Sequence, residues 1–327
     1  MEGQDLATYD VVVVGGGAAG LSGALTLGRA RRMVLVVDAG EPRNAPASGV
    51  HGFLTRDGTN PAALLRAGRE EIGRYGADLL DGRVASAERV EDGFIATLDD
   101  GGSVGARRLL VATGLVDELP DVPGVRERWG RDVLHCPYCH GWEVRDQPIG
   151  VLASGPRAAH QALLFRQWSA DVTLFLHTAP RPTDEEAEGL AARGIAVVEG
   201  EVASLEVVGD RLAGVRMGGG EVVACRAVAV MPRFVARAKM LAGLGLETTV
   251  HPLGVGEHVE ADATGLTTVP GVWVAGNVAD LMAQVVGAAE AGVRAGAAIN
   301  ADLIAEDTER AVTAYRARRE ARTAGRH

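Results

Sequence analysis

The sequence has 327 residues, of which 47% are hydrophobic and 23% charged, and its formal net charge is −10 at pH 7. This is the composition of a globular protein, and its length predicts two domains rather than one. The negative charge argues against nucleic acid or an anionic membrane as partner, and no run approaches the roughly 18 apolar residues of a membrane span. Only three cysteines occur, and the first ten residues, MEGQDLATYD, lack the basic region of a signal peptide, so we expect a cytoplasmic protein.

The first elements predict a βαβ unit. Residues 10–14, DVVVV, form a β-branched apolar run typical of a strand buried on both faces. A glycine-rich turn follows at 15–20, then a helical stretch at 21–30 and a second apolar strand at 33–40. This order is that of a dinucleotide-binding unit, whereas a lone GxGxxG motif would fit an ordinary glycine-rich turn equally well.

Four residues of this unit have a physical reason to contact a dinucleotide. Gly15 permits the tight turn, Gly17 lets the backbone approach a pyrophosphate, and Gly20 lets the helix pack closely on the strand. The helix N-terminus offers free N–H groups to the phosphates. Asp38 ends the second strand, where its carboxylate can accept hydrogen bonds from ribose hydroxyls.

The next elements are a loop and an all-β segment. His51 lies in the loop after the second strand. It is either a cofactor contact or a surface residue, and both interpretations stay open. Residues 83–98 and, later, 201–216 alternate apolar and polar residues around a DG or GD turn, which predicts β-meanders. Residues 109–114, LLVATG, predict a strand that ends in a turn of small residues.

Residues 135–141, HCPYCHG, allow three interpretations. A zinc site needs four converging ligands, but adjacent Cys–His pairs converge poorly and no second CxxC is present. A structural disulfide is not expected in the cytosol. A redox pair fits best, because the CxxC spacing lowers a thiol pKa and only a thiolate attacks a disulfide. Tyr138 and Trp142 either line a pocket for a flat substrate or pack in the protein.

A second strand–turn–helix unit follows, over 148–155 and 156–168. Its turn begins at Ala153, which lacks the freedom of glycine at positive φ. Pro156 has no backbone N–H, so the turn has one hydrogen-bond donor fewer for a phosphate. The next strand, 172–177, is followed by acidic residues, whose negative charge would repel a phosphate. These are Asp184, Glu185, Glu186 and Glu188. Further along, Cys225 is predicted to be a core residue of one apolar strand, VVACRAVAV.

The last elements are a strand at 271–277, GVWVAGN, and a helix of small residues at 285–300. The basic residues from Arg310 to His327 predict a solvated helix end or a frayed tail. From Tyr9 to about Ile304, the motifs together resemble the two-dinucleotide-domain flavoprotein disulfide reductases. The short chain and central CxxC resemble the low-molecular-weight thioredoxin reductases among them.

This resemblance implies an α/β fold of two interleaved, three-layer Rossmann-like domains with attached β-meanders, and a homodimer. Residues 1–118 and 250–327 would form the FAD-binding domain. Residues 119–249 would form an NAD(P)H-binding-like domain that carries the CxxC. The implied cofactor is FAD. The residues implied to contact it are Gly15, Gly17, Ala18, Ala19, Gly20, Asp38, Ala39, Arg43, Asn44, His51, Val84, Ala112, Thr113, Gly114, Gly276, Asn277, Gln284 and Val285.

Catalytic roles follow from the same resemblance. Cys139 would lie against the isoalloxazine ring and Cys136 would meet the substrate sulfur. His140 stands where thioredoxin reductases have an aspartate acid/base, and an imidazole can take a thiol proton near neutral pH and stabilise a thiolate as a cation. His135 either tunes the pair or ends the preceding strand. Asn277 replaces the family's usual aspartate and can hydrogen-bond a ribityl hydroxyl without bringing charge.

The stretch CPYCHGWE resembles more closely the flavin-dependent dithiol oxidases of the holomycin and gliotoxin type. The NADPH pattern GxGxxA has lost its first glycine to Ala153, and the family's HRR arginines are replaced by Thr178 and Ala179, with Arg181 as a partial substitute. NADPH is therefore a doubtful cofactor.

Three functions remain. We favour a dithiol oxidase that acts on a small-molecule dithiol with O2 as acceptor. The second is a reductase that moves electrons from NADPH or ferredoxin to a thioredoxin-like protein. The third is a flavin redox sensor without turnover.

Overall fold

The structure is a computed structural model that describes residues 8–155 and 157–324. The predictions on residues 1–7 and on Pro156 lie outside the described residues, as do Gly325, Arg326 and His327 of the basic tail. The strands, in chain order, are β1 (Thr8–Val14), β2 (Val34–Asp38), β3 (Asp78–Asp81), β4 (Val84–Val90), β5 (Gly93–Leu98), β6 (Ser103–Val111), β7 (Leu115–Glu118), β8 (Val133–Leu134), β9 (Ile149–Leu152), β10 (Val172–Phe175), β11 (Ala196–Val198), β12 (Val202–Val208), β13 (Arg211–Met217), β14 (Val222–Ala224), β15 (Ala227–Val230), β16 (Arg233–Ala236), β17 (Thr249–Val250), β18 (Gly256–His258) and β19 (Val272–Val274).

The α-helices of the described residues are α1 (Ala18–Arg29), α2 (Pro61–Gly73), α3 (Val125–Arg128), α4 (Pro137–His140), α5 (Ala158–Phe165), α6 (Asp184–Ala192) and α7 (Val285–Ala324). Short 3-10 helices span Lys239–Leu244 and Gly276–Val278. The predicted βαβ unit at the N-terminus is confirmed as β1, α1 and β2, with β1 and β2 parallel.

The first sheet is built around β1, whose valines 11–14 are almost fully buried. Strands β3, β2, β1 and β6 lie side by side and parallel, and β19 pairs in parallel with the second half of β6. The first half of β6 pairs with β5, which pairs with β4, both antiparallel. The meander predicted over 83–98 is therefore an extension of the dinucleotide-binding sheet.

The second sheet has the order β11-β10-β9-β15-β8, and its neighbouring strands are parallel. The meander predicted over 201–216 is the antiparallel sheet β12-β13-β14. Each parallel sheet contributes to its own hydrophobic cores. The predicted α/β class with two Rossmann-like units and meanders is confirmed.

A fourth sheet, β17-β18-β16-β7, joins segments that are distant in the chain. Buried residues between 236 and 246 pack in the same core as β1 and β6. The domain boundaries at 118/119 and 249/250 stay a prediction. We propose that the chain returns to the first domain nearer residue 231, because this packing begins well before residue 249.

Two elements differ from the sequence prediction. The segment VVACRAVAV forms two strands, because β14 belongs to the meander and β15 to the parallel sheet, and the buried Cys225 lies at the break between them. Helix α7 continues far beyond residue 300, and every side chain from Thr308 to Thr323 is exposed.

Within the described ranges, the helices all lack the combination of length and apolar character that a bilayer crossing requires.

Candidate active site

A cavity of about 990 Å³ runs from the carboxyl end of β1 to the CxxC segment. It brings together nearly all of the predicted site residues. Those that line it are Gly15, Gly17, Ala18, Ala19, Asp38, Ala39, Arg43, Asn44, His51, Val84, Ala112, Thr113, Gly114, His135, Cys136, Cys139, His140, Gly276, Asn277, Gln284 and Val285. Gly20 does not line this cavity, which agrees with the prediction that it lets the helix pack closely on the strand.

The glycine turn has the geometry that a dinucleotide needs. Gly15 has a φ of +107°, and a Cβ there would lie 2.4 Å from the carbonyl oxygen of Ala112. A Cβ on Gly20 would lie 1.8 Å from the carbonyl oxygen of Gly15. A Cβ on Gly17 would meet no protein atom within 4 Å, because this glycine faces the cavity. The turn therefore leaves open the side on which a pyrophosphate would lie against the start of α1.

Replacing Gly17 with alanine is expected to lower FAD affinity about tenfold or more, because the added methyl enters the space left for the pyrophosphate. The free energy of unfolding of the apoprotein should fall by less than about 1 kcal/mol, since this N-cap position has room for a side chain. Flavin fluorescence titration and urea unfolding measure the two quantities. Gly20→Ala is the matched control and should instead destabilise the apoprotein, so equal effects of both variants would contradict this assignment.

Asp38 lies in the cavity wall at the end of β2, and its Oδ2 pairs with the guanidinium of Arg69 on α2. Among the described residues, Oδ1 of Asp38 has no hydrogen-bond partner, and its predicted contact with a ribose hydroxyl stays a prediction. Sequence reasoning missed Arg69, since it lies 31 residues away on a helix with no motif.

Arg43 and Asn277 meet in the wall of the cavity. Arg43 donates two hydrogen bonds to Asp117 of β7, at 2.8 and 2.7 Å, and its Nη1 lies 3.4 Å from Oδ1 of Asn277. The amide nitrogen of Asn277 donates to the carbonyl oxygens of Asp280 and Ala283, both at 2.9 Å. An aspartate could not donate to these carbonyls, which is a local reason for asparagine at this position. Its predicted ribityl contact stays a prediction.

The two cysteines are held at the start of helix α4. Cys136 is the N-cap, and the thiol of Cys139 donates to its sulfur at 2.8 Å. This hydrogen bond and the backbone N–H groups of Cys139 and Tyr138 outweigh burial and lower the pKa of Cys136 to about 6. The same contact, together with burial, raises the pKa of Cys139. Cys136 is therefore the thiolate of the reduced pair at neutral pH.

His135 precedes the pair and is partly buried. Its Nδ1 is 3.3 Å from the carbonyl oxygen of Val230, and its ring packs edge-on against Phe234. Burial, with the charge of Arg43, lowers the pKa of His135 to about 4, so the ring is neutral at pH 7. Gln161 of α5 also donates to the backbone oxygen of His135, which ties this strand end to the second sheet.

His140 ends α4 and lines the cavity beside the cysteines. Burial lowers the pKa of His140 below its usual value, although the nearby Glu143 raises it in part. A lowered pKa suits a ring that starts as a base at pH 7, and the predicted roles of His140 as acid/base and as a cation beside a thiolate stay predictions. His51 comes from the loop after β2, and its Nε2 lies 3.5 Å from Oε1 of Glu143.

Residues 9–292 match the pyridine nucleotide-disulphide oxidoreductase family. The chain belongs to this family. Thioredoxin reductase sirT of Leptosphaeria maculans is 31% identical over 316 residues, which cover 91% of this chain and 95% of that protein. The crystal structure of HlmI has a TM-score of 0.88 and 48% sequence identity over 96% of this chain and 98% of that one.

A probable thioredoxin reductase of Arthroderma benhamiae is 40% identical over a shorter stretch of 151 residues, 44% of this chain and 37% of that protein. The predicted kinship with thioredoxin reductase-like flavoproteins is confirmed by these matches. This disulphide oxidoreductase is an enzyme with FAD as its cofactor. The open glycine turn and Asp38 fit that cofactor.

The second nucleotide unit of this oxidoreductase departs from the phosphate-binding pattern at several described residues. Ala153 is buried at the end of β9, and the hydroxyl of Ser154 donates to the carbonyl oxygen of Met231 at 2.9 Å. Arg181, the cation expected to substitute for the missing arginines, forms an ion pair with Glu199 at 2.7 Å. The acidic first turn of α6 follows directly. These contacts agree with the expectation that NADPH is a doubtful cofactor.

The surface beside the cysteines is aromatic. Tyr138 and Trp142 are 63% and 65% exposed, Tyr138 packs edge-on against Trp168, and Arg145 stacks over Trp142. Neither ring lines the cavity, so the contacts show packing in part, and the predicted substrate wall stays a prediction. Among the described residues, no three His, Cys, Asp or Glu side chains are grouped as metal ligands would be.

Proposed function

We propose that this oxidoreductase is a dithiol oxidase, which closes the disulfide of a small dithiol through Cys136 and Cys139 with FAD as cofactor and O2 as acceptor. The observation that carries the proposal lies after β10, where Arg181 is paired with Glu199, and Thr178 and Ala179 replace the family's two arginines. A donor nucleotide loses its charge-assisted contacts there, whereas a dithiol needs only access to the cysteines.

The chain's own residues account for the thiol chemistry. A substrate thiol gives its proton to His140, and its thiolate attacks the sulfur of Cys136 in the enzyme disulfide, with Cys139 as the leaving group. The second substrate thiolate then attacks the first substrate sulfur and releases Cys136. Bound FAD would supply a two-electron acceptor for the reduced cysteine pair and a route for those electrons to O2. The overall reaction converts one dithiol and one O2 into one disulfide and one H2O2.

A second candidate is electron transfer from NADPH or ferredoxin to a protein disulfide. The names of relatives support it, since sirT and the Arthroderma benhamiae protein are both called thioredoxin reductase. The exposed aromatic surface at Tyr138 and Trp142 would also suit a thioredoxin-like protein. A redox sensor without turnover is the third candidate. The cytoplasmic location and the homodimer stay predictions in every case.

The proposal predicts that the holoenzyme consumes O2 when it is given dithiothreitol, with one H2O2 formed per dithiol oxidised. An oxygen electrode and a peroxidase-coupled assay measure the two rates, and free FAD with dithiothreitol is the control. Reduction of a thioredoxin disulfide by NADPH, without O2 uptake from dithiothreitol, would establish the second candidate instead. Absence of both activities would leave the sensor.

A further inference from the structure

The sulfur of Cys136 gains negative charge at one defined point of the proposed reaction. When the second substrate thiolate attacks the first substrate sulfur, the S–S bond of the substrate forms and the mixed disulfide with Cys136 breaks. The electron pair of the broken bond goes to the sulfur of Cys136, which leaves as a thiolate. Because a thiol of lower pKa leaves faster, hydrogen-bond donors around this sulfur increase the rate of disulfide closure.

Both substrate protons are accounted for in this step. Cys139, the leaving group of the first step, takes the proton that His140 received, and its thiol donates to the sulfur of Cys136 at 2.8 Å. His140 can then accept the proton of the second substrate thiol. Both protons leave with the reduction of O2 to H2O2. Until then the reduced pair is one thiol and one thiolate, and the thiolate is stabilised by the donors around it.

Four donors reach the sulfur of Cys136, and three of them belong to helix α4 itself. These three are the thiol of Cys139 and the backbone N–H groups of Tyr138 and Cys139. The fourth is the side-chain amide of Gln284, whose Nε2 lies 3.9 Å from the sulfur, a distance at which sulfur accepts a hydrogen bond. Cys136 and Gln284 lie 148 positions apart in the chain, so the fold alone supplies this fourth donor.

The amide of Gln284 lies between the cysteine and the loop after β2. Gln284 directly precedes α7, and its carbonyl oxygen accepts from the N–H of Ala288 at 2.8 Å, so the first turn of that helix fixes its backbone. Oε1 faces the loop, where a Cβ on Gly52 would lie 3.7 Å from it. Among the described residues, the sulfur of Cys136 is the only hydrogen-bond partner of this amide.

We propose that Gln284 is a catalytic residue, which donates a hydrogen bond to the thiolate of Cys136 and so assists closure of the substrate disulfide. This inference rests on the proposed dithiol chemistry and goes beyond the flavin contact expected of Gln284. A donor that is already in place stabilises a developing charge without rearrangement. The N-terminal end of α7 adds partial positive charge on the same side of the sulfur.

The charged and titratable groups that line the cavity around Cys136 come from its own segment, from the loop after β2 and from β7. They are His135, Cys139 and His140 in the segment, Arg43 and His51 in the loop, and Asp117 on β7. Substitutions at position 284 leave all of these groups in place. The contact with Gln284 lowers the pKa of Cys136, so its removal should raise that pKa.

The test measures the pKa of Cys136 in the holoenzyme, fully reduced with tris(2-carboxyethyl)phosphine, desalted and kept free of O2. The pH dependence of alkylation by iodoacetamide gives the pKa, and tandem mass spectrometry assigns the label to Cys136. Gln284→Leu removes the donor and should raise the pKa by about half a unit or more. Gln284→Glu keeps the size but brings a carboxylate, and should raise it by about one unit or more. Gln167→Leu changes an exposed glutamine outside the cavity and should match the parent protein.

A second measurement tests the effect on the reaction itself. Dithiothreitol is mixed rapidly with each holoenzyme in excess FAD, so that a weaker flavin contact does not enter, and the bleaching of the flavin is followed. In Gln284→Leu, bleaching at saturating dithiothreitol should be roughly threefold slower at pH 7, because the leaving thiol has a higher pKa. The half-saturating concentration of dithiothreitol should not change.

The outcomes separate this inference from the proposed function. A parent pKa of Cys136 in Gln284→Leu would overturn the inference, and equal rises in the leucine and glutamate variants would do the same by showing an effect of packing alone. A raised pKa with a parent bleaching rate would overturn the catalytic role. If dithiothreitol fails to bleach the parent protein, the proposed function fails, and the alkylation profiles still decide whether Gln284 donates to Cys136.

Discussion

Replacing Cys136 with serine is expected to abolish dithiol turnover, with a loss in kcat/KM of at least about a thousandfold. The serine hydroxyl does not ionise near neutral pH and cannot form a disulfide, so neither the mixed disulfide nor the reduced pair can arise. O2 uptake with dithiothreitol measures the loss. Cys225→Ser is the matched control, because Cys225 is 2% exposed and burial raises its pKa to about 12, which keeps it a neutral core thiol. That variant should lose stability, by about 1–3 kcal/mol, and keep its turnover.

The companion variant Cys139→Ser tests which cysteine meets the substrate. It should also lose turnover, but its remaining Cys136 should react with 2-hydroxyethyl disulfide to give a stable mixed disulfide. The rate should rise with pH through the pKa of that thiol. In this variant the pKa lies above about 6, because the hydrogen bond from the Cys139 thiol is lost. Mass spectrometry detects the adduct. Adduct formation by Cys136→Ser and none by Cys139→Ser would reverse the predicted roles.

NADPH is expected to leave the flavin absorbance unchanged under anaerobic conditions, whereas dithiothreitol should bleach it and air should restore it. Two missing charge-assisted contacts cost roughly 3–6 kcal/mol, or two to four decades in affinity. The exposed ion pair with Glu199 competes with a phosphate for Arg181, at about 1 kcal/mol or less. Visible absorbance during titration measures both responses. Prompt bleaching by NADPH would contradict this reading and would favour a thioredoxin-like partner.

A gain-of-function variant makes this second test sharper. Thr178→Arg and Ala179→Arg, combined with Glu199→Gln to free Arg181, should increase NADPH affinity at least about tenfold. Thr178→Lys with Ala179→Lys, again combined with Glu199→Gln, is the matched control, since it adds the same charge without the bidentate geometry. Equal gains from both variants would mean that net charge alone limits binding at this site.

Much of the site could be predicted because its parts are local in the chain. The glycine turn, the buried strands and the CxxC each depend on residues within a few positions of one another. Gly15, Gly17 and Gly20 therefore lie where their spacing requires, and Cys136 and Cys139 face each other across one helical turn. The strand break at Cys225 was missed, because the apolar pattern of two adjacent strands does not show that they belong to different sheets.

The sequence by itself determined the fold class, the dinucleotide turn and the redox pair, since hydrophobic periodicity and short motifs carry that information. Tertiary structure decided the electrostatics. The pairs Arg43–Asp117, Arg181–Glu199 and His51–Glu143 join residues that no local pattern links. The same holds for His140, whose pKa burial in the folded protein lowers, because the energy of a charge depends on the solvent and the partners around it.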